Sequence, residues 1–400
     1  MPNVKTVAII PARGGSKGIV RKNLQRVGGR SLVARSIDHA RACPEIDAVY
    51  VSTDDEEIAA ASRAAGAQVV VRPAELAGDE ASTESALIHV IDGLEADGWR
   101  PQTVVLLQCT SPFREPGQLD AALAHFRGSG CDSLLSVTRF RHFVWTTDSR
   151  GAGYRPLTYD PQRRPRRQQI ERTYCETGSF YIFRREVLAQ TGSRLGGRIE
   201  VFEVPADDAL EIDEPRDLER ARSLVWGRPP QLDPELSLAD WLVLDVDGTL
   251  TDGAMHYSET GEVSKRFDTR DGFGLRLWQE AGGKVAWISG EASQASARRA
   301  HKLGVDYVAL GVADKAAELE KLRREHGVSR PQLVFMGDDL NDLVVRDRVA
   351  LFVAPANARP GVLAQADLVT TAGGGHGAVR ELVDWLLPWR RQATAPIRAA

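Results

Sequence analysis

Residues 9–18 read IIPARGGSKG, an apolar run that breaks into a loop of small residues carrying Arg13, Ser16 and Lys17. The run predicts a buried strand. The glycines after it let a backbone approach an anion closely and turn N–H groups toward it. Arg13 can bridge two oxygens while a lysine acts as a compact charge, and Lys22 and Asn23 follow within reach of the same ligand. The spacing fits neither Gly-x-x-x-x-Gly-Lys-Ser/Thr nor Gly-x-Gly-x-x-Gly. Taken alone, the loop reads as a phosphate cradle or as a solvated basic turn.

Outward from this loop, short apolar runs alternate with amphipathic ones. VKTVAIIPA, AVYVSTD, AQVVVRP, TVVLLQCT, DSLLSVTR and GSFYIFRR read as strands; SLVARSIDHARAC and DEEIAAASRAAG carry apolar residues every three to four positions and read as helices. This alternation predicts a doubly wound, mostly parallel α/β sheet, with ligands at the carboxyl ends of its strands. The stretch WGRPPQLDPELSLAD (226–240) breaks the pattern with prolines and reads as a linker. DWLVLDVD, GKVAWISG, YVALG, QLVFMGDD and VALFVA then start a second doubly wound sheet. The expected division is a first domain over 1–226, a linker over 227–239, a second domain over 240–390 and a polar tail over 391–400.

Composition agrees with two domains. The chain has 400 residues, 42% hydrophobic and 26% charged, as in soluble globular proteins. Its net charge of −4 argues against a nucleic-acid partner. No apolar run approaches the ~20 residues that cross a membrane, and no signal-peptide pattern opens the chain. Cys43, Cys109, Cys131 and Cys175 form no Cys-x-x-Cys pair, which points to reduced thiols and neither a disulfide frame nor a zinc site. A cytoplasmic enzyme is expected.

A second acidic motif, LVLDVDGTLTDG, occupies 242–253. Its strand delivers Asp245 and Asp247 two residues apart, on one side of an extended chain. One carboxylate can act as nucleophile beside a second that moves protons, with a metal to neutralise charge. Calcium loops share Asp-x-Asp-Gly, so the strand before it matters.

The segments PARGGSKGIVRKNL, VSTDD, RPAELAGDEAST, LLQCTSPFR and EIDEPRDL, in this order over residues 5–220, resemble the cytidylyltransferases that activate sialic acids and related keto-sugar acids. The resemblance implies a nucleotide-diphospho-sugar transferase-like fold and transfer of CMP from CTP to an acidic sugar, releasing pyrophosphate. It places Arg13, Ser16, Lys17, Lys22 and Asn23 on the triphosphate, with Arg13 and Lys22 catalytic. Arg72, Ser82 and Thr83 fall at the cytidine, Gln108 at the sugar, and Asp213 with Glu211 at Mg²⁺. Charge builds on the α-phosphate and on departing pyrophosphate, which suits cations. One departure stands out. Relatives that use N-acetylneuraminate carry Phe-Arg-x-Asn-Gly where this chain has Tyr174-Cys175-Glu176-Thr177-Gly178. A thiol cannot pair with a carboxylate as guanidinium does. The cluster RRPRRQQIER offers Arg166, Arg167 and Arg172 instead, and Arg167 with Gln168 is the expected sugar contact.

The second half, with Ser289 and Gly290 in ISG, Lys315 in ADKAAEL and Asp338, Asp339 and Asp342 in GDDLNDL, resembles the haloacid-dehalogenase phosphatases over 240–388. The resemblance implies Asp245 as nucleophile and Asp247 as acid. Ser289, Gly290 and Lys315 would grip the phosphate, and Asp245, Asp247, Asp338 and Asp342 would surround Mg²⁺. The stretch AMHYSETGEVSKRFD (254–268) is too short for a cap and reads as a hairpin. Such capless relatives act on phosphorylated eight- and nine-carbon keto acids as tetramers. Glu291 matches the nine-carbon type, and GGGHGAVRE (373–381) matches a C-terminal loop that reaches toward a neighbouring site. The two resemblances together imply a bifunctional enzyme of nonulosonate activation, Mg²⁺-dependent in both domains and a homodimer or homotetramer. Its substrates would be CTP and a keto-sugar acid or its phosphate. The alternatives are an eight-carbon or phosphonate acid as acceptor, and a second domain that serves only as an oligomerisation platform.

Overall fold

The computed structural model describes residues 6–16, 18–78, 81–147, 153–166, 173–225, 230, 232–257, 259 and 263–394. Lys17, Arg167, Gln168 and Arg172 lie outside the described residues. The chain divides into two compact units, Met1–Leu24 with Leu32–Asp217, and Gln25–Ser31 with Leu218–Ala400.

The first unit is built on strands β1 (Thr6–Pro11), β2 (Ala48–Thr53), β3 (Gln68–Val71), β4 (Thr103–Leu107), β5 (Ser133–Phe140), β6 (Thr173–Arg184) and β7 (Ile199–Glu203), in the order β7-β5-β6-β4-β1-β2-β3. β6 runs antiparallel to both neighbours and the other pairs are parallel. β7 was not anticipated, because its IEVFE alternates half-buried with exposed residues at a sheet edge and lacks a continuous apolar run. Val7, Ile9, Val104 and Leu106 pack in one core cluster. From β1 the chain winds outward to β2 and β3, then returns to β4 on the other side of β1. The crevice at that reversal, between the carboxyl ends of β1 and β4, is where open α/β sheets bind ligands.

The second unit repeats the plan with an all-parallel sheet. Its strands are β8 (Trp241–Leu244), β9 (Lys284–Ser289), β10 (Tyr307–Leu310), β11 (Leu333–Met336), β12 (Leu351–Ala354) and β13 (Leu368–Val369), in the order β10-β9-β8-β11-β12-β13. Side chains alternate across it as a period of two requires. Leu242, Leu244, Val285 and Trp287 enter one core, while Trp241, Val243, Ala286 and Ile288 enter the other. Both faces are covered, so the strands read as unbroken apolar runs. The reversal lies between β8 and β11, and Asp245 and Asp338 follow those two strands.

The boundaries differ from the expected division: residues 218–225, placed in the first domain, fall in the second unit. Leu232, Leu236 and Ala239, placed in the linker, are buried in the second unit's core. Beside them Asp233 accepts from Arg26 Nη1 at 2.7 Å, Arg30 Nη1 at 3.1 Å and the Ser31 N–H at 3.1 Å, all buried. The short hairpin Arg26–Val27/Arg30–Ser31 therefore belongs to the second unit although its sequence lies inside the first. At the other end, the helix Ala378–Thr394 runs past residue 390, where the tail was expected to start.

Candidate active sites

The crevice of the first unit is a cleft of about 340 Å³ lined by Pro11, Arg13, Ser16, Gly18, Lys22, Asn23, Thr83, Gln108, Cys109, Thr110 and Asp213. Lys22 Nζ donates to Asp213 Oδ1 at 3.1 Å and to the Ile212 carbonyl at 2.9 Å. Gly18 lets the loop pass against Asp213, since a Cβ there would lie 2.6 Å from the Asp213 carbonyl oxygen. Asn23 Nδ2 donates to the Arg13 carbonyl at 2.9 Å and Arg13 Nη1 to the Gly78 carbonyl at 3.1 Å, which pin the loop at both ends. The Gly14 N–H, expected to face an anion, instead donates to Asp54 Oδ1 at 2.9 Å.

Of the residues expected at the cytidine, Thr83 lines the cleft. Ser82 caps the helix Thr83–Ala96, its Oγ accepting from the Ser85 N–H at 3.1 Å. Arg72 is buried and donates to Ser52 Oγ at 3.1 Å and the Ser52 carbonyl at 2.8 Å; burial lowers its pKa. Burial also pushes the Cys109 thiol up to about 12, so it is no nucleophile at neutral pH.

At the other end of the cleft, Gly178 adopts φ +65°, and a Cβ would stand 2.7 Å from Gln108 Oε1 and 3.1 Å from Glu211 Oε1. Glycine here brings the β6 backbone against both side chains. Burial, then the nearby charge of Asp213, raises the pKa of Glu211. Thr177, in the place of the relatives' asparagine, turns into the sheet and donates to Ser136 Oγ at 2.8 Å, while Cys175 is exposed. Glu176 accepts from the buried Tyr181 hydroxyl. Arg194 stacks 4.4 Å over the Tyr181 ring and donates to Glu84 at 2.6 Å. This chain of contacts was not read from the sequence, because its members lie up to 110 residues apart.

In the second unit, Asp245, Asp338 and Asp342 offer carboxylate oxygens that all lie within 4.8 Å of one another. Lys315 Nζ donates to Asp245 Oδ1 and to Asp342 Oδ1, both at 2.6 Å, with every partner nearly closed to solvent. Asp342 also accepts from the N–H groups of Asp338 at 2.9 Å and Asp339 at 3.1 Å. Burial, then the charge of Asp342, raises the pKa of Asp245. The same two causes push Asp338 up to about 7. Crowded carboxylates whose charges repel are a donor set that suits a hard divalent cation such as Mg²⁺. Asp247, expected among the ligands, does not join this group; its oxygens meet Lys265 at 2.6 and 2.8 Å, and Ser289 Oγ stands 3.5 Å away. Lys265 escaped the sequence reading because it sits 18 residues on, in the hairpin, where only the turn was legible. That hairpin forms, pairing His256 with Ser264.

The turn after β8 depends on two glycines. A Cβ on Gly248, at φ +89°, would stand 2.0 Å from Asp338 Oδ2, and one on Gly374 would stand 1.8 Å from the Gly248 carbonyl oxygen. The glycine loop 373–375 thus backs the aspartate turn of its own chain.

Comparison with known proteins follows the same division. The cytidylyltransferase family model matches residues 7–238. The chain belongs to that family. A model for haloacid dehalogenase-like hydrolases matches residues 292–382. The cytidylyltransferase is 30% identical over 392 residues to N-acylneuraminate cytidylyltransferase A of Danio rerio, covering 96% of this chain and 89% of the relative. It is 31% identical over 396 residues to N-acylneuraminate cytidylyltransferase of Oncorhynchus mykiss, with the same coverage. A 146-residue stretch is 38% identical to the 3-deoxy-D-manno-octulosonate 8-phosphate phosphatase KdsC of Escherichia coli, covering 36% of this chain and 78% of KdsC. The cytidylyltransferase is thus a nucleotidyltransferase joined to a phosphoric monoester hydrolase. Among the described residues no helix is long and apolar enough to cross a membrane.

Proposed function

We propose that this cytidylyltransferase activates a sialic-acid-type keto-sugar acid with CTP, and that its second unit removes the terminal phosphate from the phosphorylated form of that acid. The observation that carries the reading is that each unit brings charged groups together: Lys22 with Asp213 in one cleft, and Asp245, Lys315, Asp338 and Asp342 in the other. The relatives' names support sialic-type acceptors for the first activity and a keto-sugar acid phosphate for the second.

In the first cleft, Lys22 and Arg13 would face the triphosphate and offset the charge that grows on the departing pyrophosphate. Gln108 and the Gly178 backbone would orient the sugar. Asp213, with Glu211 beside it, would hold Mg²⁺, which would supply positive charge against the phosphates. In the second, the Asp245 carboxylate would attack phosphorus and Asp247 would protonate the departing alkoxide. Lys315 would hold Asp245 in place. Mg²⁺ on Asp245, Asp338 and Asp342 would neutralise charge on the phosphoryl oxygens. The exposed Glu291 beside Ser289 disfavours a substrate carboxylate there, which supports a nine-carbon substrate over an eight-carbon one. A cytoplasmic homodimer or homotetramer is the setting we infer.

The test is a screen for pyrophosphate release with CTP, Mg²⁺ and eight- and nine-carbon keto acids, run beside phosphate release from their phosphorylated forms. Turnover of neuraminate or deaminoneuraminate, and of the corresponding phosphate, is expected. If all of these are inert while an eight-carbon or phosphonate acid reacts, the substrate assignment is overturned.

A further inference from the structure

The second unit holds a buried lysine that neither the motifs nor the proposed mechanism uses. Lys265 follows the hairpin strand Val263–Ser264, and its side chain is wholly closed to solvent, at 0% exposure. Its ammonium donates to both carboxylate oxygens of Asp247, at 2.6 and 2.8 Å. Enclosing an ammonium costs several kcal/mol unless a close counter-charge offsets it, so the pair is a fixed feature and not a passing surface contact. The next residue, Arg266, donates to Asp252 at 3.2 Å and to the Gly375 carbonyl at 3.1 Å. The hairpin that carries Lys265 is thereby tied to both loops around the aspartate turn. The first two aspartates of the motif each face a lysine, Lys315 for Asp245 and Lys265 for Asp247.

We infer that Lys265 is a positioning residue for Asp247, whose carboxyl group it holds in one rotation. The inference rests on Asp247 as the general acid. In the step concerned, an Asp245 oxygen bonds to phosphorus as the bond from phosphorus to the sugar oxygen breaks. The bonding pair leaves with that oxygen, and the Asp247 proton passes to it. Asp247 is left as a carboxylate against the Lys265 ammonium. Water then attacks phosphorus and returns a proton to Asp247, so that inorganic phosphate leaves and Asp245 is restored.

A leaving group that needs no proton separates this role from a structural one. The magnesium-loaded Lys265→Met enzyme is compared with wild type on an alkyl phosphate, the keto-sugar acid phosphate, and on p-nitrophenyl phosphate, whose phenolate departs unaided. The readout is kcat/KM, which covers the steps up to departure of the leaving group. For the alkyl phosphate it is expected to fall by roughly 10²-fold, the usual worth of a positioned acid. For p-nitrophenyl phosphate it stays within about threefold by the same argument, and Lys265→Arg recovers part of the loss. Asp247→Asn is run in parallel. If it shows no such selectivity, the general-acid assignment itself fails. If it is selective while Lys265→Met loses both substrates equally, or neither, the role of Lys265 is overturned. Pyrophosphate release by the first unit of each variant reports an intact chain, and Lys265→Gln replaces the methionine variant if that one does not fold.

Discussion

The two sites occupy the same position in two similar sheets, at the carboxyl ends of strands that flank a reversal of strand order, yet they treat charge in opposite ways. In the first unit's cleft Lys22 is partly open and its partner Asp213 is 65% exposed, so the pair faces solvent. In the phosphatase cluster Lys315 is 3% exposed and Asp245 and Asp342 are 7% and 1%. The difference fits the chemistry proposed for each site. A triphosphate brings its own negative charge and needs cations that can reorganise around it. A carboxylate nucleophile must be kept dry, held still and matched in charge before substrate arrives.

The strongest test of this contrast is Asp245→Asn. If Asp245 is the proposed nucleophile, its loss should lower phosphate release by about 10⁴-fold or more, with pyrophosphate release from CTP unchanged. A parallel loss of both activities would mean that the two sites are not independent. Lys22→Ala is the mirror experiment. It should lower pyrophosphate release by roughly 10²–10³-fold, the scale of one lost charge-stabilising donor, and leave phosphate release intact.

A smaller effect concerns stability in the buried half. Asp271, in the first turn of the helix Thr269–Glu280, accepts from the Arg380 N–H at 2.9 Å and the Gly377 N–H at 3.3 Å. Burial, opposed by those N–H groups, pushes it up to about 6. A carboxyl raised above its unfolded value holds its proton longer in the folded state. Its stabilising contribution is full below about pH 4 and is lost as pH rises through about 6. The unfolding free energy of the second unit should therefore decline over that window, by about 3 kcal/mol in all. Asp271→Asn should flatten the decline; an unchanged slope would place its source elsewhere.

The sequence makes the sheets and their reversal points legible, because both depend on unbroken apolar runs that end in motif residues. Asp245, Asp338 and Lys22 could be found for that reason. Lys265 could not, since a lysine beside an arginine in a hairpin looks like any solvated charge until its partner is known. Asp233 was hidden likewise, as a carboxylate among prolines whose two arginines lie more than 200 residues upstream. The side chain of Thr177 could be compared with relatives, but only its hydrogen bond to Ser136 shows that it faces away from the cleft.

The hairpin 25–31 carries a further consequence, for how the two activities can be inherited. It begins two residues after Asn23, and its arginines close on Asp233. A gene cut at the proline-rich stretch would leave Arg26 and Arg30 on one product and their carboxylate on the other. Neither half would then be a ready-made ancestor or descendant of the whole. Any recombination event that separates these enzymes would also have to rewrite a seven-residue passage set inside the first unit's sequence.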